Sequence, residues 1–386
     1  MKNVVIVSAV RTAIGNFGGQ WSAVSPEKLA SAAIKEAVAR AKIDPAEVED
    51  VIMGNIHAEH GNIARRSSLT AGLPLECGAM TIDRQCGSGS QAVASAALTI
   101  MAGFGDIVVA CGLEHMTQSP YQMEKPAKAF TAKLPAFLPN RVSIDELGNP
   151  TMPQTADTLG ARHNISRQEC DEFALLSHQR AAKAIKENVF KDQIVPIEVK
   201  TKKGVKVIDT DECVRYDASL ESMSKLPPLF KGGLTTAGNS CPRSDGAGAL
   251  VMMSEEKAKA LGLTPLVSLK TYAVAGLDPN IMGYGPVPAT HKALKKAGLT
   301  IKDIDLIELN EAFAAQSLPC VKDLGLDIEK TNPNGGAIAL GHPIGGTGPI
   351  LTTKLIYEMI RKDYTLGLVT MCIGGGQGMA TIFERC

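Results

Sequence analysis

The sequence has no net charge, no CxxC pair, no membrane-length apolar run and no phosphate-loop lysine, and each absence removes a class of function. Lys plus Arg and Asp plus Glu both number 40, so no charge excess points to nucleic acid or an anionic membrane. No apolar run approaches the roughly 18 residues expected of a membrane span. At the start, MKNVVIVSAVRT has Arg11 directly after its apolar stretch and no small-residue cleavage site. Val4 to Val7 therefore reads as a first buried strand rather than a leader. The nine cysteines are odd in number and irregularly spaced, which predicts reduced thiols in a cytoplasmic setting. His57 and His60 in HAEH are the only close histidine pair, and with no further ligands beside them they read as a loop, not a metal site. Gly345-Gly346-Thr347-Gly348 lacks the lysine a P-loop requires.

What is present is a globular α/β pattern, long enough at 386 residues for two to three domains. Short β-like runs at Val4–Val10, Val51–Met53, Met80–Arg84 and Ile107–Cys111 alternate with helical segments from Pro26 to about Ala41, with Ser25 as N-cap, from Asn62 to Ala71, and from Ser88 to Ala102. The last hundred residues repeat the plan: helix Pro288–Ala297, strand Ile304–Leu309, helix Gly346–Met359, strand Leu366–Cys372. This order predicts layers around a largely parallel sheet. AKIDPAEVEDVIMGN beside AGLTIKDIDLIELN suggests an internal duplication. Between the halves, a proline-studded stretch, an amphipathic segment from Ser166 to Asn188 and a basic hairpin from Glu198 to Val207 read as an insertion lying over the first half. The expected division is 1–117 plus 243–267, an inserted loop domain at 118–242, and 268–386. Asp245–Met253 would return to complete the first sheet.

Three polar positions in Gly-rich or apolar surroundings accompany Cys86, which stands just before the Ser88 helix. They are Asn310 in LNEAFA, His342 in GAIALGHPIGGTG and Cys372 in MCIGGGQG. Each falls at or after a strand end, where ligand sites of α/β sheets concentrate. A helix N-terminus favours a thiolate, and Gly87 and Gly89 let a carbonyl approach it. A nucleophilic thiol, an imidazole to take its proton and a second thiol for acid–base work form a coherent set for acyl transfer.

The motifs CGSGSQA, NEAFA, NPNGGAIALGHPIGGTG and CIGGGQGMA, in that order, resemble those of the thiolases, the acyl-CoA C-acyltransferases, and the similarity runs from VVIVSAVRTAIGNFGG through GLEHM, DEFALLSHQRA and TAGNS to the last strand. The resemblance implies a five-layered α-β-α-β-α fold of two similar halves with an inserted loop domain. It implies Cys86 as the acylated residue, His342 as its base, and Cys372 as the base that takes the α-proton of the second acyl-CoA and the acid that protonates the leaving thiolate in the other half-reaction. It also implies one oxyanion hole from His342 and a water on Asn310, and another from the N–H groups of Cys86 and Gly374. Arg215, Ser222, Phe230 and Ala237 match coenzyme A contacts, as do Ala312 and Phe313, and Met152 a residue near the acyl group. The substrates implied are acyl-CoA and coenzyme A, without cofactor or metal, in what is often a homotetramer.

The chain departs from the family pattern at Pro153 where Gly is usual, at Cys241 where Ser is usual, at Pro349 where Arg is common, and at His115 where Ser is common. It also lacks the MGD and DGL wording of biosynthetic acetoacetyl-CoA enzymes, which suggests an acyl pocket accepting more than acetyl. Two other readings are weaker. A decarboxylating condensing enzyme uses Cys with two His, whereas Asn310 and His342 stand at those positions here. A non-catalytic CoA- or lipid-binding relative has no need of the trio. The duplicated apolar halves further suggest a dimer through strands near Met80–Arg84.

Overall fold

The Val4–Thr12 strand (β1) is buried on both faces, which is why it reads as a nearly unbroken apolar run. Val5, Val7 and Val10 join the core beneath one layer of helices, whereas Val4, Ile6 and Ala9 join the core between two sheets. A bulge between Ile6 and Ser8 shifts the alternation.

The computed structural model describes residues 2–57, 61–126, 128, 134–138, 141–201 and 204–386, so His60 of the HAEH pair lies outside the described residues. The first half supplies β1, β2 (Asp50–Gly54), β3 (Gly78–Ile82), β4 (Ile107–His115) and β5 (Ser244–Ser254); the second supplies β6 (Val267–Gly276), β7 (Leu306–Leu309), β8 (Leu366–Ile373) and β9 (Gln377–Arg385). The first sheet runs β3-β2-β4-β5-β1 and the second β6-β9-β8-β7, joined by a short antiparallel contact of β1 with β6 at Val5–Ser268 and Ile6–Val267. With strands counted within each half, both run third, second, fourth, fifth, first, the third strand of the second half being reduced to a single parallel bridge of Thr331 with Ile307. This repeated order is the expected duplication in structural form.

The helices of eight or more residues among those described are α1 (Pro26–Ala41), α2 (Ile63–Thr70), α3 (Ser88–Met101), α4 (Met152–Arg162), α5 (Arg167–Lys186), α6 (Pro286–Ala297), α7 (Ala314–Leu324) and α8 (Thr347–Lys362). Helices α1 and α2 cover the outer face of the first sheet, α3 and α8 lie together between the sheets, and α6 covers the outer face of the second, with α7 beside it. These are the five layers. The central pair approaches closely because glycines meet there: a Cβ on Gly348 would lie 2.0 Å from the Ser90 nitrogen, and one on Gly89 would lie 2.6 Å from the Gly345 oxygen. Pro349 fills the contact, packed over Gly89 and Gly112.

The sheet is mixed, not largely parallel as expected. Of the eight neighbouring pairs along the strand order, only β2–β3, β2–β4 and β7–β8 are parallel. Parallel neighbours need a long crossover, whereas β8 and β9 are joined by the tight turn after Ile373 and must run antiparallel. In the first half, β5 returns from the insertion to lie antiparallel between β1 and β4. Boundaries differ as well: the strand expected at Met80–Arg84 is Gly78–Ile82, that at Ile304–Leu309 begins at Leu306 after a 3-10 turn, and that at Ile107–Cys111 runs on to His115. Ser25 occupies the N-cap of α1, but its hydroxyl donates to Glu27 Oε1 at 2.6 Å instead of accepting from the helix backbone. Between β4 and β5 lie α4, α5 with its Ser166–Glu169 capping box, and the hairpin Ile197–Thr201 with Gly204–Ile208.

Candidate active site

The turn between β3 and α3 is held by its own side chains. Asp83 Oδ1 accepts from the Gln85 N–H at 2.6 Å, and Ser88 Oγ accepts from the Arg84 N–H at 2.8 Å while donating to the Gln85 carbonyl at 2.6 Å. These bonds hold Gln85 at φ +46°, a left-handed conformation that costs a non-glycine residue about 1–3 kcal/mol. The result is a fixed Cys86 just ahead of α3. The expectation that this helix end would favour a thiolate is not met. The Gly87 and Ser88 N–H groups are spent on the Arg84 and Gln85 carbonyls, and burial pushes the Cys86 thiol up to about 11 against the opposing N–H groups of Gly374 and of Cys86 itself. Cys86 rests as a thiol, and its attack needs a base.

Gly374 reaches the sulfur because of the β8–β9 turn. Gly375 and Gly376 take φ +84° and +83°, which only glycine adopts without strain, so the GGG run is first of all a hairpin. It aims the Gly374 N–H at the Cys86 sulfur. Cys372, buried on β8 just before the turn, has its thiol raised well above the ordinary range by burial and then by the charge Cys86 would carry, so the two sulfurs are neighbours. Cys241, the departure from the family pattern, joins them: burial and then Cys86 push its thiol up to about 12.

His342 enters from the loop before α8. Its Nδ1 lies 2.6 Å from Thr347 Oγ1, and that hydroxyl donates its one proton to the Pro343 carbonyl at 3.0 Å. With that proton on the Pro343 carbonyl, Nδ1 carries the hydrogen and the Nε2 lone pair is free. Nε2 faces the Asn310 amide nitrogen at 3.4 Å. Burial drives the imidazole down to about 4, so it is neutral and able to accept a proton. Asn310 follows β7, its N–H donating to the Thr370 carbonyl at 3.0 Å, and its Oδ1 is buried with no protein hydrogen-bond partner among the described residues. A Thr347→Val enzyme, which loses the tautomer lock, is expected to drop kcat by about a hundredfold, with Thr347→Ser restoring most of it. Equal rates in all three proteins would show that the hydroxyl has no such role.

Two family descriptions match nearly the whole chain: "Thiolase, N-terminal domain" over residues 4–256 and "Thiolase, C-terminal domain" over 263–385. The chain belongs to the thiolase family. Relatives include the beta-ketothiolase BktB of Cupriavidus necator, 45% identical over all of this chain and 99% of that protein, and the 3-ketoacyl-CoA thiolase of Aeromonas salmonicida, 49% identical over all of both chains. Among solved structures, the acetyl-CoA acetyltransferase of Bacillus anthracis superposes with a TM-score of 0.96 at 44% identity, covering all of this chain and 99% of that one. The human mitochondrial 3-ketoacyl-CoA thiolase in complex with CoA gives 0.94 at 41%, covering all of this chain and 98% of that one.

In this thiolase the expected coenzyme A contacts divide into two groups. Ala312, Phe313 and Met152 pack in one apolar cluster with Cys372, and the Cys241 N–H donates to the Ala312 carbonyl at 3.0 Å. Arg215 and Ala237 meet farther out, the guanidinium donating to the Ala237 carbonyl at 3.3 Å. Buried His178 accepts from the Arg215 N–H at 3.2 Å and so fixes that segment. Ser222 and Phe230 are exposed; the Ser222 hydroxyl donates to the Ser219 carbonyl at 2.9 Å. Pro153 is accommodated in the first turn of α4, where a missing N–H costs nothing.

Sequence reasoning on the thiolase missed the groups that hold its loops. Glu311 of NEAFA is buried and accepts from Ser177 Oγ at 2.6 Å, Asn332 Nδ2 at 2.7 Å and the Ile338 N–H at 3.3 Å, tying α5 to the loop that leads to His342. Glu114 of GLEHM accepts from the Gly345 N–H at 3.0 Å and the His57 N–H at 3.0 Å, tying the His342 loop to the first half. Thr347, five residues after His342 within GHPIGGTG, was missed too, because no periodic pattern marks its bond to the imidazole.

Burial of His342 also gives the thiolase a pH-dependent stability. The folded imidazole stays neutral down to about 4, whereas in the unfolded chain it takes up a proton near its ordinary value. Its contribution is fully present above about pH 6.5 and is lost as pH falls toward 4. Glu311, raised by burial, has the opposite sign, so the comparison that isolates His342 is between the native protein and His342→Asn. The native Tm is expected to fall more steeply between pH 7 and pH 5 than that of the variant; parallel slopes would contradict it.

Proposed function

We propose that this thiolase carries an acyl group on Cys86 and exchanges it with coenzyme A, cleaving 3-ketoacyl-CoA by thiolysis and running the reverse Claisen condensation with acetyl-CoA. One observation carries the reading: the Cys86 sulfur sits under the Gly374 N–H and beside the Cys372 thiol, and the Asn310 amide that faces His342 Nε2 is tied by its N–H to the Thr370 carbonyl, two residues before Cys372.

In the cleavage direction, His342 Nε2 takes the Cys86 proton as the sulfur adds to the 3-keto carbon. The developing oxyanion is held by the N–H groups of Cys86 and Gly374. The C2–C3 bond breaks, its electrons pass to the thioester enolate, and Cys372 donates its proton to C2, so acetyl-CoA leaves. A thiol that burial has raised serves here as the acid. The enolate oxygen faces His342, now protonated at Nε2, and a water on the Asn310 amide. The Cys372 thiolate then takes the proton of incoming coenzyme A, whose sulfur attacks the acyl carbon, and Cys86 leaves with the proton held by His342. Condensation is the same path reversed.

In this reading the unit 118–242 clamps coenzyme A: Arg215 faces its nucleotide end, Ser222 and Ala237 line its path, and Phe230 packs on the pantetheine. Ala312, Phe313 and Met152 line the acyl end. No metal or organic cofactor takes part. The protein acts in the cytoplasm, where its thiols stay reduced, as a homotetramer built from two dimers. The edge strand β3, which among the described residues pairs only with β2, supports a dimer contact through Met80–Arg84. Sedimentation is expected to give a species larger than a monomer, and a monomer alone would remove this part. For the activity, incubation with acetoacetyl-CoA and coenzyme A is expected to yield two acetyl-CoA per substrate consumed. No product from this or any longer 3-ketoacyl-CoA would overturn the reading.

A further inference from the structure

The two N–H groups that face the oxyanion stand on turns from opposite halves of the chain. Cys86 follows β3 of the first sheet, and Gly374 follows β8 of the second. Their separation is therefore a tertiary quantity that neither turn fixes by itself. Two apolar contacts set how closely the turns approach: a Cβ on Gly87 would lie 2.5 Å from Ile373 Cδ1, and one on Gly374 would lie 3.8 Å from Gln85 Cβ. Apolar contact has no direction, so it leaves one turn free to slide along the other.

One polar contact opposes that sliding. Arg84 Nη1 donates to Gln377 Oε1 at 3.0 Å, across 293 residues of sequence. Among the described residues it is the one hydrogen bond between a side chain of 83–88 and a side chain of 373–377, and Arg84 Nε is buried there without a partner. Both ends of the bond are anchored. The Arg84 N–H donates to Ser88 Oγ at 2.8 Å and its carbonyl accepts from the Gly87 N–H at 3.0 Å, so its backbone moves with Cys86 two residues on. Gln377 opens β9 three residues after Gly374, paired with Ile373 of β8 and Gly276 of β6. A Cβ on Gly285 would lie 2.2 Å from its carbonyl oxygen, so Gln377 cannot shift apart from the second sheet.

We propose that Arg84 and Gln377 form a positioning pair that holds the Cys86 and Gly374 N–H groups at one separation and so sets how well they stabilise the oxyanion. The inference rests on the proposed acyl transfer at Cys86 and deepens it. The pair acts through the two backbone donors, not on the substrate. Donors fixed in advance meet developing charge without reorganising, and a misplacement of 1 Å at a reacting centre costs about a hundredfold in rate. The bond is the direction-giving part of the contact between the halves, because a hydrogen bond weakens steeply when its angle is lost.

The test compares acyl transfer with a reaction of the same sulfur that forms no oxyanion. The full-length native protein, Arg84→Met, Gln377→Met, the double variant and Gln377→Glu are assayed for thiolysis of acetoacetyl-CoA and for alkylation by iodoacetamide, followed on the Cys86 peptide by mass spectrometry. In alkylation the sulfur displaces iodide and no carbonyl is attacked. Each single methionine variant is expected to lower kcat by about 10–100-fold with KM within about threefold. The double variant is expected to fall no further than the slower single one, because either change already removes the bond. Alkylation is expected to stay within about twofold of native throughout. Gln377→Glu keeps an acceptor at the same reach and is expected to keep kcat within about threefold of native. Unchanged kcat in either methionine variant, losses that multiply in the double variant, alkylation that changes as much as kcat, or failure of Gln377→Glu to keep the rate overturns the pairing, while native thiolysis leaves the acyl-transfer reading standing. A native protein that is alkylated at Cys86 but cleaves no 3-ketoacyl-CoA overturns both.

Discussion

Replacing Cys86 by alanine is expected to reduce thiolysis of acetoacetyl-CoA to background, a fall of about 10⁴-fold or more, with the fold retained. The size of the effect follows from the neighbours. Cys372 and Cys241 are the other sulfurs in the site, and burial raises all three thiols, so the difference lies in their partners. Among the three, Cys86 is the one stabilised by the Gly374 N–H. Neither neighbour can take over an attack that depends on that donor. Retention of the fold follows because the turn is held by Asp83 and Ser88, not by the sulfur. Circular dichroism and a thermal melt settle the second point, and residual turnover above about one part in a thousand would place the nucleophile elsewhere.

Cys372→Ser should separate the two halves of the reaction. The hydroxyl is a far weaker acid than a thiol, so proton transfer to and from the α-carbon is expected to slow by about 10²–10⁴-fold. Acylation of Cys86 by acetyl-CoA also uses Cys372, to protonate the departing coenzyme A, but a thiolate leaves readily without that proton and the attack itself depends on His342, so acylation still proceeds. In the variant, intact mass is expected to show an acetyl adduct accumulating while acetoacetyl-CoA formation nearly stops. Condensation at the native rate would remove Cys372 from its assigned role, and absence of the adduct would show that its proton on the departing coenzyme A is required for acylation.

Much of the fold could be read from the chain because its apolar runs are buried where periodicity says they should be: β1, α1, α3 and α8 all begin and end within a few residues of expectation. Strand direction was harder to read. An alternation of strands and helices looks parallel until the last strand of each half is placed, and β9 is reversed by three glycines that carry no periodic signal. The four motifs told where Cys86, Asn310, His342 and Cys372 lie in sequence, but not how the protons are arranged. The tautomer of His342 depends on Thr347 donating to Pro343, a three-group relation that no spacing rule encodes. The thiol of Cys86 was expected to be acidic from its place before α3. Burial outweighs the helix end because the first N–H groups are already used within the turn. Loop-holding carboxylates such as Glu114 and Glu311 act across more than a hundred residues in some of their bonds, to Gly345 and from Ser177 respectively, and only coordinates reveal such pairings.

The most direct test of the account is to mix the native protein with acetyl-CoA, quench it in acid, digest it and locate the acetyl group by mass spectrometry. The account predicts one acetyl per chain on the peptide containing Cys86. An acetyl group on the Cys241 or Cys372 peptide in its place, or no stable acetyl on any cysteine, would contradict it.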